Sequence, residues 1–143
     1  MRKIRVGIIG AGWFAAQSHI PTLAQHADVV LDSVCRMDLD ELRRVWHEFG
    51  FAFGTEDYRE LLARDLEAVV VSSPNHLHFE HAKAALERGL HVLCEKPMTV
   101  SPADAWELVA GDLLAAARSG DVADATRALK IALVLEGILE RQQ

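Results

Sequence analysis

The chain has 143 residues, is 50% hydrophobic and carries a formal net charge of −6, which is enough apolar material for one folded domain with an ordinary core. Because its acidic and basic residues are interspersed, the charge pattern argues against a nucleic-acid-binding surface. Its uninterrupted apolar segments fall short of the roughly 20 residues that cross a bilayer, so we expect no membrane anchor.

The first element is a β-branched strand, predicted over residues 3–9, which leads into Gly10-Ala11-Gly12 and a helix over residues 13–26. This start has two interpretations. The basic N-terminus and the apolar run resemble a secretion signal, whereas glycines between a strand and a helix are typical of a turn that binds phosphate. We expect Pro21 to kink or restart the helix, because proline has no N–H to donate.

The same order of strand, short connection and helix repeats along the chain. Further strands are predicted at residues 29–35, 51–53, 68–72 and 91–94. The intervening helices are predicted from the cap Asp38, which with Glu41 three residues on makes a capping box, to Gly50, from the cap Thr55 to Leu62, and from Pro74-Asn75 to Gly89. Such alternation predicts an α/β fold, a Rossmann-like doubly wound parallel sheet of about five strands. A secretion signal is therefore disfavoured, since its removal would take away the first strand.

After residue 100 the alternation ends, and two C-terminal helices are predicted. The first is capped by Ser101, has Pro102 at its first position and runs to about residue 118. The second covers residues 122–140 and carries leucines and alanines at helical spacing along one face. We expect this face to pack against another surface.

The sequence Gly10-Ala11-Gly12-Trp13-Phe14-Ala15 fits the pattern G-x-G-x-x-G/A. The first glycine allows a tight turn, the second lets a pyrophosphate approach the backbone, and Ala15 lets the helix pack closely on the strand. Free N–H groups at the start of the helix would attract an anion despite the net negative charge of the protein. We therefore predict a dinucleotide-binding turn rather than a turn without a ligand.

The end of the second strand bears on which dinucleotide binds. An acidic residue at this point receives the ribose hydroxyls of NAD, while an arginine suits the extra phosphate of NADP. Here Arg36 occupies the usual acidic position, and helix capping already explains Asp38. The sequence thus favours NADP, with NAD as the alternative.

Histidines and cysteines offer two further candidate sites. His76, His78 and His81 invite a metal interpretation, since the last two can share a helix face, but no cysteine or acid pair completes the set. We interpret them as structural or cofactor-adjacent histidines and predict no metal site. Cys35 and Cys94 form no Cys-x-x-Cys pattern, which indicates free thiols in a reducing compartment, the cytoplasm.

Three segments together resemble the glucose-fructose oxidoreductase, inositol dehydrogenase and rhizopine catabolism (Gfo/Idh/MocA) family. They are residues 6–12, residues 72–78 and residues 89–98, the last containing Glu95-Lys96-Pro97. The resemblance covers about residues 3–110. It implies an N-terminal Rossmann domain that binds NAD(P), joined in that family to a C-terminal sheet domain that binds a sugar, polyol or related substrate for hydride transfer.

The resemblance also implies which residues would contact the cofactor. The pyrophosphate would meet Gly10, Gly12, Trp13 and Phe14, and the ribose would meet Arg36. The nicotinamide half would be lined by Ser72, Ser73, Pro74, Asn75, His78, Glu95 and Lys96. The proline that follows Lys96 holds this residue extended at the strand end. There Lys96 could orient a substrate oxygen as a residual catalytic group.

One part of the family pattern has no counterpart in the sequence. Family members usually continue past the helix at Ser101 into a substrate domain whose aspartate and histidine transfer the proton, whereas residues 113–141 resemble the tail helices with which such proteins end. We divide the chain into a Rossmann domain, residues 1–110, and a helical tail, residues 111–143, that packs on the same domain or on a second subunit. The expected function is nicotinamide-dinucleotide binding with little or no turnover, because hydride transfer from an alcohol needs a nearby base. The alternative is a non-catalytic scaffold that forms a homodimer through its terminal helix or the sheet edge.

Overall fold

Strands and helices alternate along the part of the chain that the computed structural model describes, residues 3–119. Within it the strands are β1 (Ile4–Ile9), β2 (Val29–Cys35), β3 (Phe53–Thr55), β4 (Ala68–Val71) and β5 (His91–Cys94). The α-helices in the same part are α1 (Ile20–Ala24), α2 (Leu39–Phe49), α3 (Tyr58–Leu62), α4 (His78–Glu87) and α5 (Pro102–Ser119). A π-helical turn, Ala15–His19, precedes α1, and a 3₁₀ turn, Asn75–Leu77, precedes α4.

The described strands form one parallel sheet in the order β3-β2-β1-β4-β5. In the central strand β1, Ile8 packs in a core cluster with side chains from α1 and α2. The next residue, Ile9, packs in a second cluster with side chains from α3 and α4. Since successive side chains of a strand point to opposite faces, helices cover both sides of the sheet. This arrangement confirms the predicted Rossmann-like α/β fold.

The region around β3 differs from the prediction in two respects. The third strand is present, but the predicted bounds, residues 51–53, start too early, because Phe51 lies just past the end of α2 and its N–H donates to the carbonyl oxygen of Trp46. The strand therefore starts at Phe53. Thr55 ends this strand and does not cap α3; that cap is Asp57. An apolar residue that follows a helix end cannot be distinguished from a strand residue by hydrophobicity alone.

The ends of α2 agree with the sequence. Asp38 accepts hydrogen bonds from the N–H groups of Asp40 and Glu41, and Gly50 ends the helix with a left-handed φ of 70°. In the predicted capping box the carboxylate of Glu41 would accept from the backbone N–H of Asp38. In the structure this N–H donates to Glu56 instead. The carboxylate of Glu41 faces arginine side chains instead.

The first helix is interrupted near Pro21, as predicted. The N–H of Ile20 donates to the carbonyl oxygen of Ala15, five residues back, and closes the π-helical turn. The helix then restarts as α1 with Pro21 in its first turn, where a missing N–H costs no hydrogen bond. It ends at Ala24 rather than at the predicted residue 26.

A buried carboxylate in the middle of β2 pairs with two arginines. Asp32 of β2 is 1% exposed and accepts hydrogen bonds from the guanidinium groups of Arg5 and Arg64. Burial raises the pKa of Asp32, but hydrogen bonding and charge from Arg64, together with the charge of Arg5, outweigh it and leave the pKa below its usual value. Asp32 therefore stays ionised in the folded protein.

The C-terminal half of the prediction is only partly covered by the structure. Helix α5 corresponds to the first predicted C-terminal helix. It continues without a break past residue 110, where the predicted Rossmann domain ends. The second predicted helix, residues 122–140, lies outside the described residues. Between residues 3 and 119, no helix has both the length and the apolar character that crossing a membrane requires.

Candidate cofactor-binding site

The candidate site lies at the carboxyl ends of β1 and β4, where the strand order reverses. Ligands of doubly wound sheets bind in the crevice that opens at this point. The connections that follow the two strands touch each other here. Gly10 has a φ of 86°, and a Cβ at this position would stand 2.3 Å from the backbone nitrogen of Ser73. The position therefore requires glycine, both for its left-handed backbone and for space.

Gly12 meets a different requirement. Its carbonyl oxygen accepts a helical hydrogen bond from the N–H of Ala16, so Gly12 stands at the start of the helix. A Cβ at Gly12 would meet no atom within 4 Å, which leaves the surface over it open. The N–H groups of the first helical turn lack partners four residues earlier, and the helix dipole adds to their attraction for an anion. A phosphate group could therefore lie directly on this backbone.

A cleft of about 250 Å³ opens beside the glycine turn. It is lined by Phe14, Ser72, Ser73, Asn75, His78, Glu95 and Lys96. The structure thus brings together the residues predicted for the nicotinamide half, except that Pro74 is not part of the lining. Trp13 also stays outside the cleft, and its side chain is 78% exposed. Segments after β1, β4 and β5 therefore share one cleft.

Two histidines of α4 hold the loop that follows β4. The buried His78 has Nε2 2.7 Å from the carbonyl oxygen of Ser73 and Nδ1 2.7 Å from that of Pro97. His81 has Nδ1 2.9 Å from the hydroxyl of Ser73, and burial lowers the pKa of His81. His76 is exposed. Among the side chains that the structure describes, residues 3–111, no group of three His, Cys, Asp or Glu is arranged to hold a metal ion.

Glu95 and Lys96 form the wall of the cleft at the end of β5. Oε1 of Glu95 lies 2.7 Å from Nε2 of His19, and Oε2 accepts a hydrogen bond from the backbone N–H of Lys96 at 3.3 Å. The hydrogen bond with His19 lowers the pKa of Glu95, so the carboxylate carries its charge. The ring of Phe14 meets the His19 imidazole edge-on. Through His19, this wall is joined to the segment that follows the glycine turn.

Arg36 reaches from the end of β2 across the glycine turn. Its guanidinium donates a hydrogen bond to the carbonyl oxygen of Ala11 and lies 3.5 Å from a carboxylate oxygen of Glu41. Its Nε is buried and has no hydrogen-bond partner within the described part of the chain. The cation therefore sits beside the open backbone, at the point where the sequence predicts a ribose contact.

Residues 4–124 match the family described as "Oxidoreductase family, NAD-binding Rossmann fold". The chain belongs to the Gfo/Idh/MocA family. One Gfo/Idh/MocA relative, the D-glucoside 3-dehydrogenase of Escherichia coli K12, is 39% identical over 106 residues, which are 73% of this chain and 30% of the relative. The dTDP-3,4-didehydro-2,6-dideoxy-alpha-D-glucose 3-reductase of Streptomyces antibioticus is 37% identical over 112 residues, 76% of this chain and 33% of the relative. The chain thus spans about a third of the length of the curated relatives it matches.

Solved Gfo/Idh/MocA structures share the described fold. A 3-ketoreductase from Actinomadura kijaniata in complex with NADP has a TM-score of 0.72 at 35% identity, over 77% of this chain and 35% of that one. The scyllo-inositol dehydrogenase of Lactobacillus casei has a TM-score of 0.74 at 25% identity, over 80% of this chain and 34% of that one. These matches confirm the resemblance seen in the sequence. The chain contains the nicotinamide-dinucleotide-binding Rossmann domain of a Gfo/Idh/MocA oxidoreductase.

The sequence does not predict the contacts that three residues make at the site. His19 follows Phe14 by five residues, a spacing that does not place two side chains on one face of an α-helix, and only the break at Pro21 hinted at irregular helix geometry. The sequence predicts a structural or cofactor-adjacent role for His81 but does not identify its partner, Ser73. Glu41 was assigned to helix capping, whereas it pairs with Arg36. In each case the sequence contains the residue but does not indicate which other residue it contacts.

Proposed function

We propose that this chain binds NADPH, with the diphosphate on the turn after β1 and the nicotinamide ring in the cleft beside Lys96. The observation that carries the proposal is the open backbone at Gly12 next to a cleft lined by the residues that the family motifs contribute. First-turn N–H groups would hold the diphosphate, and the helix dipole would stabilise its charge. The bound nicotinamide would donate or accept hydride. The residues that line the cleft would orient the ring, and the carboxylate of Glu95 would place a negative charge on one side of it.

Arg36 supports NADPH over NADH. Its guanidinium lies beside the turn, where one terminal nitrogen donates to the carbonyl oxygen of Ala11. The 2′-phosphate of NADPH would supply acceptor oxygens, and hydrogen bonds between charged groups contribute about 1.5–3 kcal/mol each. That range corresponds to a preference of about tenfold to a hundredfold. Glu41 opposes this preference, because its carboxylate already pairs with Arg36 and would repel a phosphate.

Fluorescence titrations with NADPH and NADH test both points. We expect NADPH to bind at least about tenfold more tightly, and Arg36→Gln to remove most of this difference by weakening NADPH binding alone. Glu41→Gln should strengthen NADPH binding. Glu48→Gln is the matched control, because this carboxylate lies on the same helix and pairs only with Arg44 among the ion pairs of the described residues. Tighter binding of NADH by the unsubstituted chain would contradict the role of Arg36.

We further propose that the chain by itself catalyses little or no turnover. Among the groups that line the cleft, His78 is held by two carbonyl oxygens and Glu95 by His19. Lys96 remains to contact a substrate hydroxyl, and its ammonium would orient the oxygen and stabilise negative charge. An ammonium group cannot take up a further proton, so the general base for alcohol oxidation is lacking among these lining residues.

A panel of glucosides and inositols, chosen because relatives act on such compounds, tests this proposal. Each compound is mixed with the chain and NADP, and the absorbance of reduced nicotinamide is followed. We expect no increase. Turnover that disappears in Lys96→Ala would instead give Lys96 a catalytic role.

We also propose that the chain forms a homodimer in the cytoplasm. The alternative function, a non-catalytic scaffold, would use the same contact. In the described sheet β5 pairs with β4 alone, and its Leu93 is 55% exposed, although strands of parallel sheets are usually covered. A second copy could cover this edge, or residues 122–140 could mediate the contact. The free thiols Cys35 and Cys94 suit a reducing compartment. Sedimentation that finds only monomer at high concentration would contradict the homodimer, and an intact fold that binds neither dinucleotide would favour the scaffold.

A further inference from the structure

His19 belongs to the first helical segment but contacts the opposite wall of the cleft. Its Nε2 lies 2.7 Å from Oε1 of Glu95, which is 76 positions later in the chain. The two side chains are 18% and 22% exposed, and the ring of Phe14 packs edge-on against the imidazole. Partial burial protects such a pair from screening by salt. The contact joins the segments after β1 and β5, between which the cleft opens.

The π-helical turn explains how His19 reaches this position. In a regular α-helix each residue advances by roughly 100°, so side chains five residues apart, such as Phe14 and His19, would diverge by about 140°. Here the hydrogen bond from Ile20 to Ala15 spans five residues, and the wider turn brings positions five apart onto one side. The rings of Phe14 and His19 accordingly meet, with centroids 5.3 Å apart. Single π turns occur frequently at functional sites.

Glu95 transmits the position of His19 to Lys96. One carboxylate oxygen of Glu95 pairs with His19, and the other accepts from the N–H of Lys96. We infer that His19 is a positioning residue of the cofactor site, which fixes Glu95 and, through it, the backbone of Lys96 at the cleft. The inference rests on the proposed function in that Lys96 is taken to face a bound dinucleotide. The contacts from His19 to Lys96 require no ligand.

NMR on the cofactor-free, isotopically labelled full chain tests the contacts alone. His19→Ala should shift the backbone amide resonance of Lys96 and raise the titration midpoint of the Glu95 carboxyl carbon, because the hydrogen bond from His19 lowers the pKa of Glu95. His19→Gln should restore both, since a glutamine amide nitrogen can stand where Nε2 stood. The control His26→Ala removes an exposed histidine just after α1 and should change neither. If both signals stay unchanged in His19→Ala, the inference is overturned.

Cofactor affinity then tests the positioning role. His19→Ala should weaken NADPH binding about tenfold, because binding would then have to order Glu95 and Lys96 at a cost comparable with the lost hydrogen bond to a charged group, and His19→Gln should recover most of the affinity. Glu95→Ala should show a similar loss, and the double variant should lose no more than either single variant if both act through one contact. Wild-type affinity in His19→Ala, or fully additive losses, would overturn the positioning role. If the unsubstituted chain binds no dinucleotide, the proposed function fails, and the NMR signals of Lys96 and Glu95 alone decide the inference.

Discussion

Separate substitution of Gly10 and Gly12 should distinguish folding from cofactor binding. At Gly10 a Cβ would stand 2.3 Å from the backbone nitrogen of Ser73 and 2.6 Å from the carbonyl carbon of Ser72, on a backbone with φ of 86°. The left-handed conformation costs an alanine about 1–2 kcal/mol, and a forced fit adds about 1–3 kcal/mol. Gly10→Ala should therefore lower the free energy of unfolding by about 3 kcal/mol. For a domain of this size the melting temperature should fall by about 10 °C.

Gly12→Ala should have the opposite profile. Its Cβ would meet no atom within 4 Å, so the free energy of unfolding should stay unchanged or rise by up to about 1 kcal/mol, because alanine reduces the freedom of the unfolded chain. The added methyl group would occupy the space over the first-turn N–H groups, where the diphosphate is proposed to lie. We expect the Kd for NADPH to rise at least about tenfold, which corresponds to about 1.4 kcal/mol.

Thermal unfolding followed by circular dichroism and fluorescence titration with NADPH provide the two measurements. Gly50→Ala is a matched control for left-handed strain, since Gly50 has a φ of 70° but open space around it and lies at the end of α2. It should lose about 1–2 kcal/mol of stability without a change in Kd. Wild-type affinity in Gly12→Ala would refute the placement of the diphosphate. Wild-type stability in Gly10→Ala would refute the close approach to Ser73.

Two other predictions concern the buried carboxylate and the thiols. Asp32→Asn should cost about 1.5–3 kcal/mol in urea unfolding, because the partly exposed Arg5 and Arg64 lose a charged hydrogen-bond acceptor. Since the folded pKa of Asp32 is lowered, its contribution is present above the usual value of about 3.9 and is lost as the pH falls through the folded pKa, so the unsubstituted chain should lose stability in acid more steeply than Asp32→Asn. Burial raises the pKa of Cys35 to about 12 and that of Cys94 to about 11, so both thiols should react slowly with iodoacetamide at pH 7 until the protein is unfolded. Rapid labelling of the folded chain would contradict this environment.

The elements of the fold were predictable because their signals are local. The apolar run of β4 and the cap Asp38 with the stop Gly50 around α2 can each be read within a dozen residues. The boundary of β3 was missed because Phe51 is buried at the end of a helix, a situation that hydrophobicity does not distinguish from a strand. The parallel, doubly wound arrangement follows from the alternation of strands and helices, whereas the order β3-β2-β1-β4-β5 comes from the structure.

The residues of the cleft were predictable for another reason, their occurrence in family motifs. Their partners were not, because contacts such as that between His19 and Glu95 depend on a π turn and on chain segments 76 positions apart. No local pattern fixes such a distance. The pairing of Glu41 with Arg36 likewise depends on how α2 lies against the end of β2, which the sequence leaves open.

Arg36 stabilises the loop that contains Ala11, in addition to its proposed contact with the dinucleotide. Its guanidinium donates a hydrogen bond to the carbonyl oxygen of Ala11. This contact stabilises the conformation of the loop without a bound nucleotide. Replacement of Arg36 by an acidic residue, the change that would suit NADH, would remove this hydrogen bond. It would also place a second carboxylate beside Glu41. In the proposed site, one side chain would thus determine both the choice of dinucleotide and the conformation of the loop, and a variant redesigned for NADH would need a new donor for Ala11 as well as a new partner for the ribose.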